Sequence, residues 1–315
     1  FYNKAILVYP QESSPLRLSM LYSDLGQVYS ALEQWSDAQK TYKIAIELCQ
    51  NYGYKKGAGE LNVLLGEAYY RKGKREQAIF AILQACKLFA QIDDNPSLVN
   101  VLQYYAFIKY EIPQYELARE AMHRAIVLLI HQEDWEGVSE GLYFMMKILQ
   151  SLGLLEEAQE YLKLSIQYCV DQENSLAIRL LSLGKLMIQK EEYHQGKKNL
   201  LKAAEIFELL GDDLRLGECY ESLATIADYL GNEVEKEYYQ KEFKRTIAGY
   251  HAHSLNAIIR LAEYYEGRRQ YFDALRCYWQ GIEIARDLGF EIDDLERSVQ
   301  RVSRKVRQKR NRIHF

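Results

Sequence analysis

Three features of the sequence carry residue types and spacings that suggest chemistry. Gly137-Val138-Ser139-Glu140-Gly141 matches G-x-S-x-G, a pattern that exposes a nucleophilic serine only at a strained strand-to-helix turn. Here it falls at the start of a helical stretch, so the geometry the motif needs is not expected. His251-x-His253 sets two imidazoles at a spacing able to grip a metal, yet no third ligand of suitable type lies nearby in sequence. The five cysteines (Cys49, Cys86, Cys169, Cys219, Cys277) are odd in number and show no C-x-x-C pair. Disulfide frameworks and structural zinc sites use clustered, paired spacings. This usage implies free core thiols in a reducing, cytoplasmic compartment. Neither G-x-G-x-x-G nor a Walker A pattern occurs. The expectation is therefore no catalytic residue, no metal, no cofactor and no enzyme activity.

A further feature is a charge run. Arg297, Arg301, Arg304, Lys305, Arg307, Lys309, Arg310 and Arg312 stand in a stretch with no acid from residue 297 onward. The whole chain of 315 residues carries −4, so only this segment speaks for an anionic partner. Three readings stay open: a solvated face of a capping helix, a strap drawn to an acidic surface, or a nucleic-acid contact through counterion release. The last is not favoured, because the aromatic interleaving that single-strand binding uses is missing until Phe315. No apolar run approaches the roughly 18 residues of a membrane span, so no membrane is expected. With 18 Gly, 4 Pro and 48% apolar residues, the composition excludes collagen-like and disordered classes and supports a sizeable core.

Self-similarity organises the rest. Leu25-Gly26 is followed by Tyr29, Ala38, Tyr42 and Ala45, and 40 residues on stand Leu65-Gly66, Tyr69, Ala78, Ile82 and Ala85. Tyr105-Ala106, Ala118, Met122 and Ala125 continue the pattern, then Met145-Met146, Ala158, Leu162 and Ser165. Leu183-Gly184, Gly196, Leu200 and Ala203 make a fifth unit, and Leu261-Ala262, Tyr265, Ala274, Tyr278 and Gly281 a seventh. The sixth opens on Leu223-Ala224, but its second half is degenerate, with Lys236 and Phe243 at positions that expect small residues. Each unit reads as two amphipathic helices. The small residues mark where two antiparallel helices approach closely, and the aromatics fill the space between units.

This spacing resembles the tetratricopeptide repeat family, with a period of 38–40 in place of the usual 34. The longer type resembles bacterial peptide-sensing regulators and Pins- or kinesin-light-chain-like adaptors. The resemblance implies an all-α, right-handed α-α superhelix, a tetratricopeptide solenoid with a C-terminal capping helix. The expected layout has residues 1–15 as the remnant of a preceding repeat, 16–290 as seven helix pairs, and 291–315 as a basic amphipathic helix. It also implies a non-enzymatic binding module, the sensor or regulatory region of a larger signalling or transcription-regulating protein. The alternative is a constitutive assembly scaffold whose basic helix docks nucleic acid or an anionic partner.

In such stacks the first helices line the concave side. Helical phase then places Glu60, Glu67, Tyr70 and Arg71 of the second unit in the groove. Asn100, Gln103, Phe107 and Tyr110 follow in the third, and Glu140, Tyr143 and Lys147 in the fourth. Leu181 and Lys185 of the fifth, Glu218, Glu221 and Asp228 of the sixth, and Asn256, Glu263 and Glu266 of the seventh complete it. Acids outnumber bases, aromatics anchor with little entropy loss, and amides bond an extended backbone. The expected partner is a protein or peptide segment with basic and apolar side chains. Outside the groove, Arg301, Arg304, Lys305, Arg307, Lys309 and Arg310 form the candidate basic tail.

Overall fold

The computed structural model describes residues 15–169, 172–287 and 289–311. Residues 1–14, which include the expected repeat remnant, lie outside that description. The chain divides into two compact units, Phe1–Asp171 and Gln172–Phe315.

The first unit contains α1 (Pro15–Ala31), α2 (Trp35–Asn51), α3 (Lys55–Arg71), α4 (Arg75–Ala90), α5 (Asn95–Glu111), α6 (Tyr115–His131), α7 (Trp135–Ser151) and α8 (Leu155–Gln167). The second contains α9 (Glu173–Gln189), α10 (Tyr193–Leu210), α11 (Asp213–Tyr229), α12 (Glu233–Gly267), α13 (Tyr271–Asp287) and α14 (Asp293–Asn311). No strand occurs among the described residues. Consecutive helices pack in pairs, the arrangement of an α-solenoid.

Each pair closes on a small residue facing a large one. A Cβ added at Gly66 of α3 would stand 2.7 Å from Ile82 Cδ1 of α4, and one at Gly184 would stand 2.5 Å from Leu200 Cγ. Ala106 faces the same register as Met122, and Ala262 that of Tyr278, with all four fully buried. Ala38, Ala78, Ala118, Ala158 and Ala274, at the head of the second helices of five units, are also completely buried.

The turns repeat as faithfully as the core. A residue with positive φ follows α1, α2, α3, α4, α6 and α7, at Glu33, Gly53, Gly73, Asp93, Glu133 and Gly153, whereas the turn after α5, which carries Pro113, has none. The following amide reaches back five residues, as in Lys74 N–H to the Tyr69 carbonyl at 2.9 Å and Asp134 N–H to Leu129 at 3.1 Å. This Schellman closure satisfies the last carbonyls of each helix. Glycine adopts that conformation freely, whereas Glu33, Asp93 and Glu133 hold it at a cost. Side-chain caps appear where the chain provides them: Asp94 accepts from Ser97 N–H at 3.2 Å, and Asp134 from Gly137 N–H at 2.9 Å.

One element departs from seven separate pairs. The second helix of the sixth unit and the first of the seventh form a single helix, α12, of 35 residues. Gly249 occupies the register of the turn residues Arg269 and Gly289, twenty and forty positions earlier respectively, yet lies within the helix. Around the close-approach register the sixth unit offers Lys236, Gln240 and Phe243 in place of Ala, large apolar and Ala. The first half of α12 still packs on α11, with Gly217 against the Ile247 side chain. The second half builds a separate core with α13 and α14, centred on Ala262, Tyr278, Ile282 and Val302. Leu295, Val299 and Val302 of α14 are buried there, so α14 caps the last pair.

Two stability predictions follow from the pair contact and the turn. Ala78→Leu forces a branched side chain into the α3–α4 approach and should cost about 1–3 kcal/mol in thermal unfolding. Glu133→Gly removes left-handed strain and should raise stability by about 0.5–1 kcal/mol, net of the glycine's extra freedom when unfolded.

Candidate functional site

The residues with catalytic-looking spacing are structural. Ser139 lies within α7, buried, and its hydroxyl donates to the Ser165 carbonyl at 2.8 Å. Ser165 returns the bond to the Ser139 carbonyl at 2.7 Å. The two serines clasp α7 to α8, and no strand-to-helix turn is present there. His251 and His253 fall within α12, and their side chains lie outside the described residues. All five cysteines are free. Among the described residues no group of three metal-binding side chains comes together, and no helix is long and apolar enough to cross a membrane.

In the first unit, the first helices of three successive pairs enclose a cavity of about 440 Å³. Leu16 and Met20 come from α1, Glu60 and Leu64 from α3, and Ser97 and Asn100 from α5. Phe89 of α4 also lines it, and packs so close to α3 that Gly59 has no room for a Cβ. Of the expected groove residues, Glu60 and Asn100 therefore share one concavity. Leu16, Met20 and Ser97 were not anticipated, although the apolar face of α1 was visible in the sequence.

Towards the other end of the same helices stands a row of aromatic rings. Tyr70 of α3 meets Tyr104 and Phe107 of α5 edge-on, with centroids 6.4 and 6.2 Å away. Tyr110 meets Phe144 of α7 at 5.4 Å and receives a hydrogen bond from Ser151 at 3.3 Å. Burial pushes the Tyr104 phenol up to about 12, so it stays neutral among the rings. Lys147 sits 4.7 Å over the Tyr143 ring. Arg71 pairs with Glu67 one turn earlier at 3.7 Å. Glu140 is exposed on α7, and Gln103 is half-buried on α5.

The second unit treats its expected groove residues differently. Lys185 of α9 and Glu218 of α11 are joined at 2.5 Å, and Asp228 is held by Lys236 at 2.6 Å. Glu221 is exposed, whereas Leu181 is buried in place of lining a groove. Asn256 is not brought beside α11. Gly249 lies level with Asp213, at the start of α11, so Asn256 projects roughly 10 Å further along the straight helix.

Two residues of the basic tail are tied to an expected groove acid. Arg301 donates to both Glu266 oxygens at 3.1 and 3.0 Å, Lys305 donates at 2.7 Å, and the Tyr278 hydroxyl adds a bond at 3.2 Å. The Arg301 guanidinium, helped by Lys305 and opposed by partial burial, lowers the Glu266 carboxyl to about 2. Arg304 is exposed, while Arg307, Lys309 and Arg310 continue α14 with side chains outside the described residues. Of the readings left open for the charge run, the intramolecular strap describes Arg301 and Lys305.

These helix pairs, with close approaches on small residues and Schellman turns, define an α-solenoid of tetratricopeptide type. Residues 17–91 match the tetratricopeptide repeat model. No curated protein sequence matches the chain. The apo form of RapI superposes with a TM-score of 0.59 at 15% identity, covering 86% of this chain and 98% of that one. BtubC (BKLC) from P. vanneervenii gives 0.58 at 16% identity, covering 67% and 90%. A putative kinesin light chain from Podosopora anserina gives 0.53 at 16%, covering 62% and 96%. At these identities the likeness is one of fold.

The Glu266 clamp predicts a pH dependence. Its carboxyl titrates at about 2 when folded against 4.5 ordinarily, so the folded state binds fewer protons and the clamp contributes fully above that ordinary value. Its contribution is lost as pH falls from 4.5 towards 2. The protection of α14 amides relative to their intrinsic exchange should fall across that window in the wild type. In Glu266→Gln that protection should already be lower at neutral pH and change little on acidification.

Proposed function

We propose that the chain is a protein- or peptide-binding module that takes an extended segment along the first helices of its first unit. The observation that carries this reading is the cavity between α1, α3 and α5, continued along α3, α5 and α7 by Tyr70, Phe107, Tyr110 and Phe144. Such a concavity suits one long apolar side chain as anchor. Glu60 at the same cavity favours a cation beside that anchor, and Asn100 offers an amide to the ligand backbone. Aromatic edges further along give contact area at low entropy cost. A sensor or regulatory role in a larger signalling protein accords with this reading, since small rotations between units add along a stack. A cytoplasmic setting accords with the five free thiols.

Selection from a random twelve-residue peptide library tests the proposal. Wild type should enrich sequences with a Leu, Met or aromatic residue near a Lys or Arg. Met20→Glu and Tyr70→Ala should each weaken the selected peptides at least tenfold, and Glu60→Lys should remove the preference for a basic residue. Absence of any enriched sequence, or peptides that bind all variants equally, would refute groove recognition.

A further inference from the structure

The repeat register gives the first helices two kinds of buried position, except that α1, with no described repeat before it, exposes Val28 and that Tyr105 of α5 is half-buried. The residue facing its own second helix is Gly66, Ala106, Met146, Ala224 or Ala262, and it is buried in each case. The positions one before and two after turn towards the preceding repeat. Leu65 and Ala68 of α3, Ile108 of α5, Met145 and Ile148 of α7, and Leu223 and Ile226 of α11 are at most 6% exposed there. In the second half of α12 the same two positions are Leu261 and Tyr264, and they are 44% and 53% exposed. The inward contact of the seventh unit is intact and its neighbour-facing contact is missing.

The cause is the straight helix. A turn near Gly249 would fold the second half of α12 back beside α11, where Leu261 and Tyr264 would be covered. Without it, they project past the end of the sixth repeat. The sixth repeat presents charges where a neighbour would land: Glu237, Lys241 and Lys244 on the first half of α12 are exposed, although Val234 and Tyr238 of the same segment are exposed too. The α14 cap covers the other side of the last pair, burying Val299 and Val302 against it.

We propose that this face of α12 pairs with the same face of a second copy, in an antiparallel two-fold contact. The sequence around it is self-complementary in charge. Arg260 and Glu263 are exposed beside Leu261 and Tyr264, and neither is in an ion pair among the described residues. Two antiparallel helices centred between residues 261 and 262 set Arg260 of each copy within reach of Glu263 of the other. A two-fold interface repeats any favourable pair twice, and closes without leaving a face open to fibres. The patch spans about three helical turns, below the roughly 1,000 Å² of a stable interface, so the dimer is weak and concentration-dependent. The contact lies on the second unit and does not depend on peptide recognition by the first.

Sedimentation velocity between micromolar and high micromolar protein provides the test. Wild type should shift from monomer to dimer across that range. Leu261→Glu with Tyr264→Glu should stay monomeric throughout, with unchanged circular dichroism because both residues are already exposed. Arg260→Glu should weaken the dimer about tenfold, and adding Glu263→Arg should restore it. A wild type monomeric at every concentration would overturn the proposal. So would a dimer indifferent to these substitutions, or slow hydrogen exchange at residues 257–264 in the monomer, which would mean the chain covers this face itself.

Discussion

The structure depends first on how closely two antiparallel helices of a pair can approach. Gly66 against Ile82 and Gly184 against Leu200 leave no room for a Cβ, and the alanines at the head of the second helices of five units are wholly buried. That approach sets the spacing within a pair, and the large residue opposite each small one fixes the register. The turn residue with positive φ then falls at a constant distance from the contact. Neighbouring pairs can stack only because each repeats the same dimensions, so a single small-to-large change propagates through a whole unit. The first helices of the first unit are thereby held side by side, which creates the cavity under Met20 and the aromatic row from Tyr70 to Phe144.

The pair contact was legible in the sequence because it is local. Leu65-Gly66 and Ala78 lie twelve residues apart and recur at constant spacing, so the period exposes both the helices and the turn between them. Burial of Ala38, Ala78 and Ala118 agrees with that reading. The fusion in α12 was only half legible. Lys236 and Phe243 marked the sixth unit as degenerate, but Leu261-Ala262 and Ala274 still promised a separate seventh pair. What the sixth unit lacks is an apolar residue in one register: Ile126 of α6 packs under Gly141 of the next repeat, and the matching position of α12 is the exposed Lys244. Periodicity along one helix does not display that contact between repeats.

Helical phase identified exposed faces well and the partners on them poorly. Glu60, Asn100 and Tyr70 stand on the first helices where the phase put them. Yet Lys185 reaches Glu218 across 33 residues and Arg301 reaches Glu266 across 35, and such pairings depend on how helices meet. The cavity itself needed Leu16, Met20 and Ser97 from two helices at once. No spacing within one repeat reveals a space formed by three.

These pairings change the electrostatic argument for the ligand. Eight acids against three bases along the expected groove suggested that charge would draw a basic segment. In the second unit, however, Glu218, Asp228 and Glu266 are each held by a cation of the same chain. Exposed pairs such as those of Glu218 and Asp228 add little stability, about 0–1 kcal/mol each, but, like the more buried Glu266 clamp, they cancel the field that a distant ligand would feel. In the first unit Glu67 is likewise opposed by Arg71. Selectivity must then come from a short-range source. The apolar walls of the cavity, with one carboxylate at Glu60 and an amide at Asn100, discriminate by shape and desolvation, which salt does not screen. An anchor side chain, more than net charge, is what this surface is built to read.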